Sequence, residues 1–137
     1  MKRAPLNELI RRTAQAMAAA YAKREPGLTL PQSAMLRALV TNGPMTQQQL
    51  RAAIGMDRST ASSMLKRMAS TGAVANLRVE GKTYGLSVTI TPAGRAKLLK
   101  AEGALEAAEH EVLQMVPRSM RTVFKDALVG IAEGPVS

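Results

Sequence analysis

The sequence predicts a mainly α-helical chain with one small β-hairpin. Through most of its length, apolar residues recur three and four positions apart, and Ser, Thr, Asp, Pro and Gly stand at the boundaries of these segments. Between residues 74 and 91 the apolar spacing changes to two, which is typical of strands. The 137 residues correspond to one domain, and the 46% hydrophobic fraction is that of an ordered globular protein.

The first two helices are bounded by recognisable start and stop signals. The first is expected from about residue 5 to residue 23, because Glu25-Pro26-Gly27 cannot continue a helix. Thr29 and Gln32 have the spacing of a capping box and open a second helix, which Asn42-Gly43-Pro44 ends. The apolar face of this second helix is expected to comprise Met35, Leu36, Leu39 and Val40.

Two further helices follow with a short break between them. Thr46 and Gln49 repeat the capping box and open a short third helix that contains Leu50, Ala53 and Ile54. Asp57 is placed to cap a fourth helix over residues 58–71, which Gly72 ends in a left-handed conformation. The predicted apolar face of this fourth helix is Ala61, Met64, Leu65 and Met68.

The strands and the last helices complete the chain. Residues 74–79 and 86–91 are predicted strands, and the glycine-bracketed segment 80–85 is the hairpin tip between them. Thr91-Pro92 opens a long helix to about Met115, and Pro117 starts the last helix. The side chains expected to point inward from the last helix are Met120, Val123, Phe124, Ala127, Leu128 and Ile131.

Composition gives little support to catalysis or metal binding. The absence of cysteine excludes disulfides and thiolate sites and is compatible with a reducing compartment. The single histidine, His110, leaves few groups for a zinc site or a Ser-His-Asp triad, and the nearby Glu102, Glu106 and Glu109 fit a solvated acidic face better than a metal site. Gly81-Lys82-Thr83 resembles the end of a phosphate-binding loop, but Asn76 stands where that motif requires glycine. We therefore expect no enzyme activity, no metal and no cofactor.

No apolar run approaches the ~20 residues that a membrane-spanning helix needs. The alanine-rich N-terminal segment superficially resembles an export signal that ends at Ala20-Tyr21-Ala22. Helical spacing continues through the would-be cleavage region, from Leu6 to Tyr21, and therefore favours an ordinary helix. A cytoplasmic protein without membrane contact is expected.

The charge distribution indicates a polyanionic partner. The net charge is +9, the isoelectric point is about 10.7, and such a balance favours nucleic acids. Residues 31–95 carry eight basic and two acidic side chains, whereas residues 96–137 carry five and six. An anion is therefore expected to bind the middle of the chain.

The third and fourth helices form a helix-turn-helix, and the hairpin that follows makes it winged. The fourth helix is expected to present hydroxyl and cationic side chains opposite its apolar face, namely Arg58, Ser59, Ser62, Ser63, Lys66 and Arg67. Small hydroxyl residues let a helix sit deeply in the major groove, and the cations can neutralise phosphates. The alternative is the solvated polar face of an ordinary helix.

The same residues carry a resemblance to the multiple-antibiotic-resistance regulator (MarR) family. It extends over about residues 6–132 and is carried by Leu28–Gln32, Gly43–Leu50, Met56–Thr60, Gly72–Val74 and Ile90–Arg95. The resemblance implies a bacterial winged-helix regulator that binds palindromic operators as a homodimer, often under control of a small aromatic or anionic ligand. It divides this single MarR-like chain into a DNA-binding region, 29–91, and a helical dimerisation region, 5–25 with 92–132.

The DNA contacts expected on this basis fall into two groups. Selectivity is assigned to hydroxyls, those of Ser59, Thr60, Ser62 and Ser63. Affinity is assigned to cations, those of Arg58, Lys66, Arg67, Arg78 and Lys82. Where the family wing often carries Asp-x-Arg, this chain has Lys82-Thr83-Tyr84, so Lys82 supplies the wing cation and Tyr84 packs or offers its hydroxyl.

The outer helices carry more apolar surface than one small lobe can cover. The expected dimer interface consists of Leu6, Leu9, Ile10, Leu113, Val116, Val123, Phe124, Leu128 and Ile131. A purely intramolecular core is the alternative, because amphipathic helices do not by themselves identify a partner.

The leading hypothesis is a sequence-specific regulator of double-stranded DNA, a dimeric repressor that a small effector releases. A non-specific nucleoid-type DNA-binding protein and a winged-helix protein-interaction module are the alternatives. One phenylalanine and two tyrosines make extensive base stacking on single strands improbable.

Overall fold

The computed structural model describes residues 3–78 and 86–134. Glu25–Ala104 forms one compact unit, and the described parts of residues 1–24 and 105–137 form another. In chain order the helices are α1 (Leu6–Ala22), α2 (Leu30–Asn42), α3 (Gln47–Ile54), α4 (Arg58–Ser70), α5 (Pro92–Leu113) and α6 (Arg121–Glu133). The strands are β1 (Met45–Thr46), β2 (Val74–Arg78) and β3 (Leu86–Ile90), and a 3-10 turn, Arg118–Met120, precedes α6.

Both predicted capping boxes are confirmed. The Thr29 hydroxyl oxygen accepts from the Gln32 backbone N–H at 3.2 Å, and the Gln32 side-chain oxygen accepts from the Thr29 N–H at 2.9 Å. Thr46 and Gln49 repeat the arrangement at 3.1 and 3.0 Å. Each pair satisfies backbone donors that the first turn of a helix otherwise leaves unpaired, which fixes where α2 and α3 begin.

The sheet has the order β1-β3-β2 and is antiparallel throughout. β2 and β3 pair from Val74 opposite Ile90 to Arg78 opposite Leu86. β1, which was not predicted from the sequence, pairs Met45 with Val88. Two residues are too few to show an alternating pattern, so only the position of β3 identifies β1 as a strand. The predicted hairpin tip at residues 80–85 lies outside the described residues.

Helices α2, α3 and α4, the sheet and the part of α5 up to Ala104 supply the buried apolar residues of the Glu25–Ala104 unit. Its buried apolar side chains include Met35, Leu36, Leu39, Leu50, Ala61, Leu65, Met68, Val74, Val88 and Ile90. Val40, on the same apolar face of α2, is 43% exposed, so this face is not covered along its full length. Val40 lies near the end of α2, beside a groove that Arg95, Leu98 and Leu99 also line. Periodicity placed Val40 on a face without indicating how far the neighbouring elements extend along it.

A close junction joins the end of α4 to the start of α5. The Thr91 backbone N–H donates to the Ala73 carbonyl at 3.1 Å, and the Thr91 hydroxyl oxygen accepts from the Gly94 N–H at 3.0 Å. The single proton of the same hydroxyl is shared between the carbonyls of Gly72 and Ala73. Gly72 has a φ of +79°, so the predicted left-handed residue after α4 is confirmed.

The other unit contains α1, the end of α5 and α6. Glu111 forms ion pairs with Lys23 at 2.5 Å and with Arg24 at 3.1 Å. Hydrogen bonds from Lys23 and then Arg24 lower the pKa of the Glu111 carboxyl below its ordinary value. These contacts join the end of α1 to the last turn of α5.

The prediction that the apolar face of the last helix points inward was wrong for the single chain. Val123 and Ile131 are 68% and 74% exposed. Met120, Ala127 and Leu128 are also exposed, and Phe124 is half-buried. An amphipathic pattern identifies the apolar face of a helix, but whether that face is covered depends on what packs against it.

Candidate nucleic-acid interface

The turn between α3 and α4 fixes where the fourth helix begins. Gly55 follows α3 in the left-handed conformation, with φ 67° and ψ 42°, and the Met56 N–H closes the turn on the Arg51 carbonyl at 3.1 Å. Asp57 then caps α4, as the sequence predicts: its Oδ1 accepts from the Thr60 backbone N–H at 2.8 Å. Its Oδ2 accepts from the Thr60 hydroxyl, also at 2.8 Å.

These hydrogen bonds determine the charge state at the start of α4. The backbone N–H of Thr60 first, and then its hydroxyl, lower the pKa of the Asp57 carboxyl below its ordinary value. Both bonds are made to the ionised carboxylate and therefore favour it. Asp57 is thus an acceptor-only group at neutral pH.

Helix α4 has one buried and one open face. Ala61, Leu65 and Met68 are buried, and Met64 is half-buried. The predicted DNA-contacting face is otherwise exposed: Arg58, Ser59, Thr60, Ser63, Lys66 and Arg67 are exposed, and Ser62 is half-buried. The structure therefore brings these seven predicted residues together on one accessible surface of a single helix.

The cations on this face are available to an external anion. Within residues 3–78 and 86–134, no ion pair involves Arg58, Lys66 or Arg67. Arg37, by contrast, faces Glu102 at 3.5 Å in the same unit. Exposed cations without a carboxylate partner are the groups that phosphate contacts require.

A groove of about 350 Å³ runs between α4 and the start of α2. The groove is lined by Thr29, Gln32, Ser59, Thr60, Ser63, Met64 and Arg67. The N-terminus of α2, with the partial positive charge of a helix start, thus lies beside the hydroxyl face of α4. Both helices belong to the Glu25–Ala104 unit.

Thr29 and Gln32 were missed as candidate contact residues. Their spacing in the sequence predicts only a capping role, and their side-chain oxygens do make those bonds. In the described part of the chain the side-chain NH₂ of Gln32, a residue that lines the groove, has no partner and is free to donate. The sequence pattern could not predict that residues of α2 lie next to α4, because this proximity arises from tertiary packing.

The remaining predicted contact residues lie partly or wholly outside the described residues. Arg78 ends β2, and only its backbone is described. Lys82 and Tyr84 fall within residues 79–85, which the structure does not describe. Their expected roles at the wing therefore stay predictions.

The predicted dimer residues carry large exposed apolar areas. On α1, Leu6 is 72% and Ile10 53% exposed. The other exposed members of this set are Leu9, Val123, Leu128 and Ile131. The half-buried members are Leu113, Val116 and Phe124. The single chain leaves this surface uncovered, and its role as an interface stays a prediction.

Among the described residues, no cluster of three or more His, Cys, Asp or Glu side chains has the arrangement of a metal site. In the same described ranges, no helix is both long enough and apolar enough to span a bilayer.

Residues 27–81 match a family model described as the MarR family. The chain is 28% identical over 102 residues to the HTH-type transcriptional repressor Rv2887 of Mycobacterium tuberculosis. This match covers 74% of this chain and 73% of that protein. The crystal structure of a probable transcriptional regulator from Pseudomonas aeruginosa superposes with a TM-score of 0.84 at 26% identity, covering 92% of this chain and 96% of that one.

Rv2887 itself has been solved in complex with DNA, and this chain matches that structure with a TM-score of 0.76 at 26% identity, over 94% of this chain and 98% of that one. A second Rv2887 structure contains salicylic acid and matches with a TM-score of 0.75 over 95% and 98% of the two chains. The family model covers the helix-turn-helix, and the structural matches extend over both compact units. The chain therefore matches the MarR family over residues 27–81 and shares its overall fold with a solved MarR family protein, Rv2887.

Proposed function

We propose that this protein is a transcriptional regulator that binds double-stranded DNA through α4. The observation that carries the proposal is the exposed face of that helix, where hydroxyl side chains and unpaired cations lie together. Rv2887, a repressor solved with DNA, supports the same function and favours repression by occupying a promoter. The proposed activity is binding, without a catalytic step.

The contacts divide by chemistry. Exposed hydroxyls at Ser59, Thr60 and Ser63, with half-buried Ser62, read base edges in the major groove. Arg58, Lys66 and Arg67 contact phosphates, joined by the Gln32 amide at the start of α2. Arg78, Lys82 and Tyr84 supply the wing contacts.

We further propose that two copies assemble through α1, the end of α5 and α6. The exposed apolar side chains of α1 and α6 make association favourable because pairing removes them from water. A twofold dimer presents two copies of α4 to half-sites about 10 base pairs, or roughly 34 Å, apart. The operator is therefore a palindrome, and a bacterial chromosomal operator implies a cytoplasmic protein.

A small anionic aromatic effector is the proposed release signal. The salicylic acid complex of Rv2887 supports this class of ligand. Such a ligand acts by binding one dimer conformation more tightly and shifting the population away from the DNA-competent spacing of the two α4 helices.

The deciding experiment is selection of bound fragments from genomic DNA, followed by binding measurements over a range of salt concentrations. The expected result is a palindromic consensus, and a dimer making about 8 phosphate contacts should give a log–log salt slope near −7. Tight binding without any consensus would favour the non-specific nucleoid alternative. A salt-independent affinity would refute phosphate-driven DNA binding.

A further inference from the structure

Thr60 differs from the other hydroxyl residues on the exposed face of α4. Its hydroxyl donates to Asp57 Oδ2 at 2.8 Å, while its backbone N–H donates to Oδ1 of the same carboxylate. Within the described residues, the hydroxyls of Ser59, Ser62 and Ser63 make no hydrogen bond. Three of the four hydroxyls can therefore rotate, and one is held.

The direction of the Thr60 bond follows from the chemistry of its partner. An ionised carboxylate only accepts hydrogen bonds, and a hydroxyl has one proton to donate. The two bonds to Asp57 lower the pKa of that carboxyl, so it stays ionised at neutral pH. The proton of Thr60 is thereby committed to Asp57, and only oxygen lone pairs are left for any other partner.

We propose that Asp57 sets the hydrogen-bonding polarity of Thr60, so that Thr60 acts toward DNA as an acceptor and selects a base with a major-groove donor. Those bases are adenine, through its N6 amino group, and cytosine, through its N4 amino group. Guanine and thymine present acceptors at the corresponding positions and are disfavoured. This inference rests on the proposed function and adds a specificity rule for one base in each half-site.

Residue position supports a base contact rather than a phosphate contact. Thr60 is the third residue of α4, and in helix-turn-helix proteins the N-terminal residues of the recognition helix reach base edges. Thr60 is exposed and lines the groove together with Ser59 and Ser63. Rotatable serine hydroxyls can donate or accept, so they discriminate less between the two classes of base.

The test is base selection with the full-length protein and variants, using a randomised duplex library. Asp57→Asn retains an oxygen for the Thr60 N–H and is an equally good helix cap. Its NH₂ group donates to the Thr60 hydroxyl oxygen and turns the Thr60 proton outward. The preferred base at that position should change from adenine or cytosine to guanine or thymine, with a change in the base ratio of about fivefold or more.

Asp57→Ser is the matched control for charge, since it also removes one negative charge but offers only one oxygen to the cap. It should broaden the preference without reversing it. Thr60→Val should remove the preference at that position and leave the flanking positions unchanged, and Thr60→Ser should restore it. Far-UV circular dichroism of each variant checks folding.

An unchanged preference for adenine or cytosine in Asp57→Asn would overturn the inference, as would retention of that preference in Thr60→Val. If Asp57→Asn does not fold, Asp57→Ser and Thr60→Val decide together, and an unchanged preference for adenine or cytosine in either variant would overturn the inference. A wild-type protein that selects no sequence at all would instead overturn the proposed function, which distinguishes the two failures.

Discussion

Gly94, in the first turn of α5, lies where no side chain fits. A Cβ atom added there would stand 2.1 Å from the Ala73 carbonyl oxygen and 2.9 Å from Cγ1 of Ile90. Since such contacts essentially never fall below 3.0 Å, Gly94→Ala must open the junction by about 1 Å. Backbone atoms lie on one side of the contact, so a change of side-chain rotamer cannot relieve it.

The expected cost has three parts. Overpacking of this kind costs about 2 kcal/mol, and moving α5 from Ala73 weakens the Thr91 N–H···Ala73 and Gly94 N–H···Thr91 bonds, at about 1 kcal/mol each. Alanine returns about 1 kcal/mol through its better helix propensity. The net expectation is a loss of about 3 kcal/mol in the free energy of unfolding, and a fall in Tm of roughly 10 °C.

Gly103→Ala is the matched control. Gly103 lies in the same helix, and among the described residues no atom beyond its own stretch of helix backbone comes within 4 Å of the added Cβ. Only the propensity term acts there, so Tm should rise by about 2–4 °C. Both variants are compared with wild type by thermal and urea unfolding, followed by circular dichroism at one protein concentration, because dimerisation makes Tm concentration-dependent.

Equal Tm values for Gly94→Ala and Gly103→Ala would refute the reasoning, because the two substitutions differ only in what the new methyl group meets. A tolerated Gly94→Ala would mean that the junction between the end of α4 and the start of α5 yields by 1 Å at little cost.

Three further outcomes are expected. Lys66→Ala should weaken binding to all DNA sequences alike and make the log–log salt slope of a dimer shallower by about 2. Ser63→Ala should instead change the base preference. If both variants lowered the affinity for every sequence by the same factor, the division into phosphate-contacting cations and base-reading hydroxyls would be contradicted. Phe124→Ala with Leu128→Ala should shift the sedimentation equilibrium toward monomer, and unchanged assembly would rule out the α6 interface. Because hydrogen bonds lower the pKa of Glu111, its carboxylate stabilises the folded state above its ordinary pKa of 4.5 and loses that effect as the pH falls further. The stability advantage of wild type over Glu111→Gln should therefore shrink from pH 7 to pH 3 in urea unfolding, and a constant difference would argue against the ion pairs.

The sequence predicted those features of the fold that depend on neighbouring residues. Thr29 with Gln32, and Asp57 at the start of α4, lie within one helical turn of the groups they satisfy, so spacing alone identifies them. β1 and the exposure of Val40 depend on elements far away in the chain. The requirement for glycine at position 94 depends on the Ala73 carbonyl, which no local pattern places there.

The candidate site divides in the same way. The exposed face of α4 follows from helical periodicity, because the buried Ala61, Leu65 and Met68 fix the orientation of the helix. The groove beside Gln32 required two helices to meet and was not predicted. The Thr60 hydroxyl bond lies within the predicted cap, but a capping pattern specifies only the backbone donor.

Thr46 serves two elements at once. As a residue of β1 it pairs with Ser87 in β3, and its side chain caps α3. The edge of the sheet and the start of the helix-turn-helix therefore share one residue, and β3 cannot shift along its axis without disturbing the entry to α3. Among the residues that cap helices well, threonine is the one that also favours extended backbone. A single β-branched hydroxyl residue thus couples β3 to the helix that precedes α4.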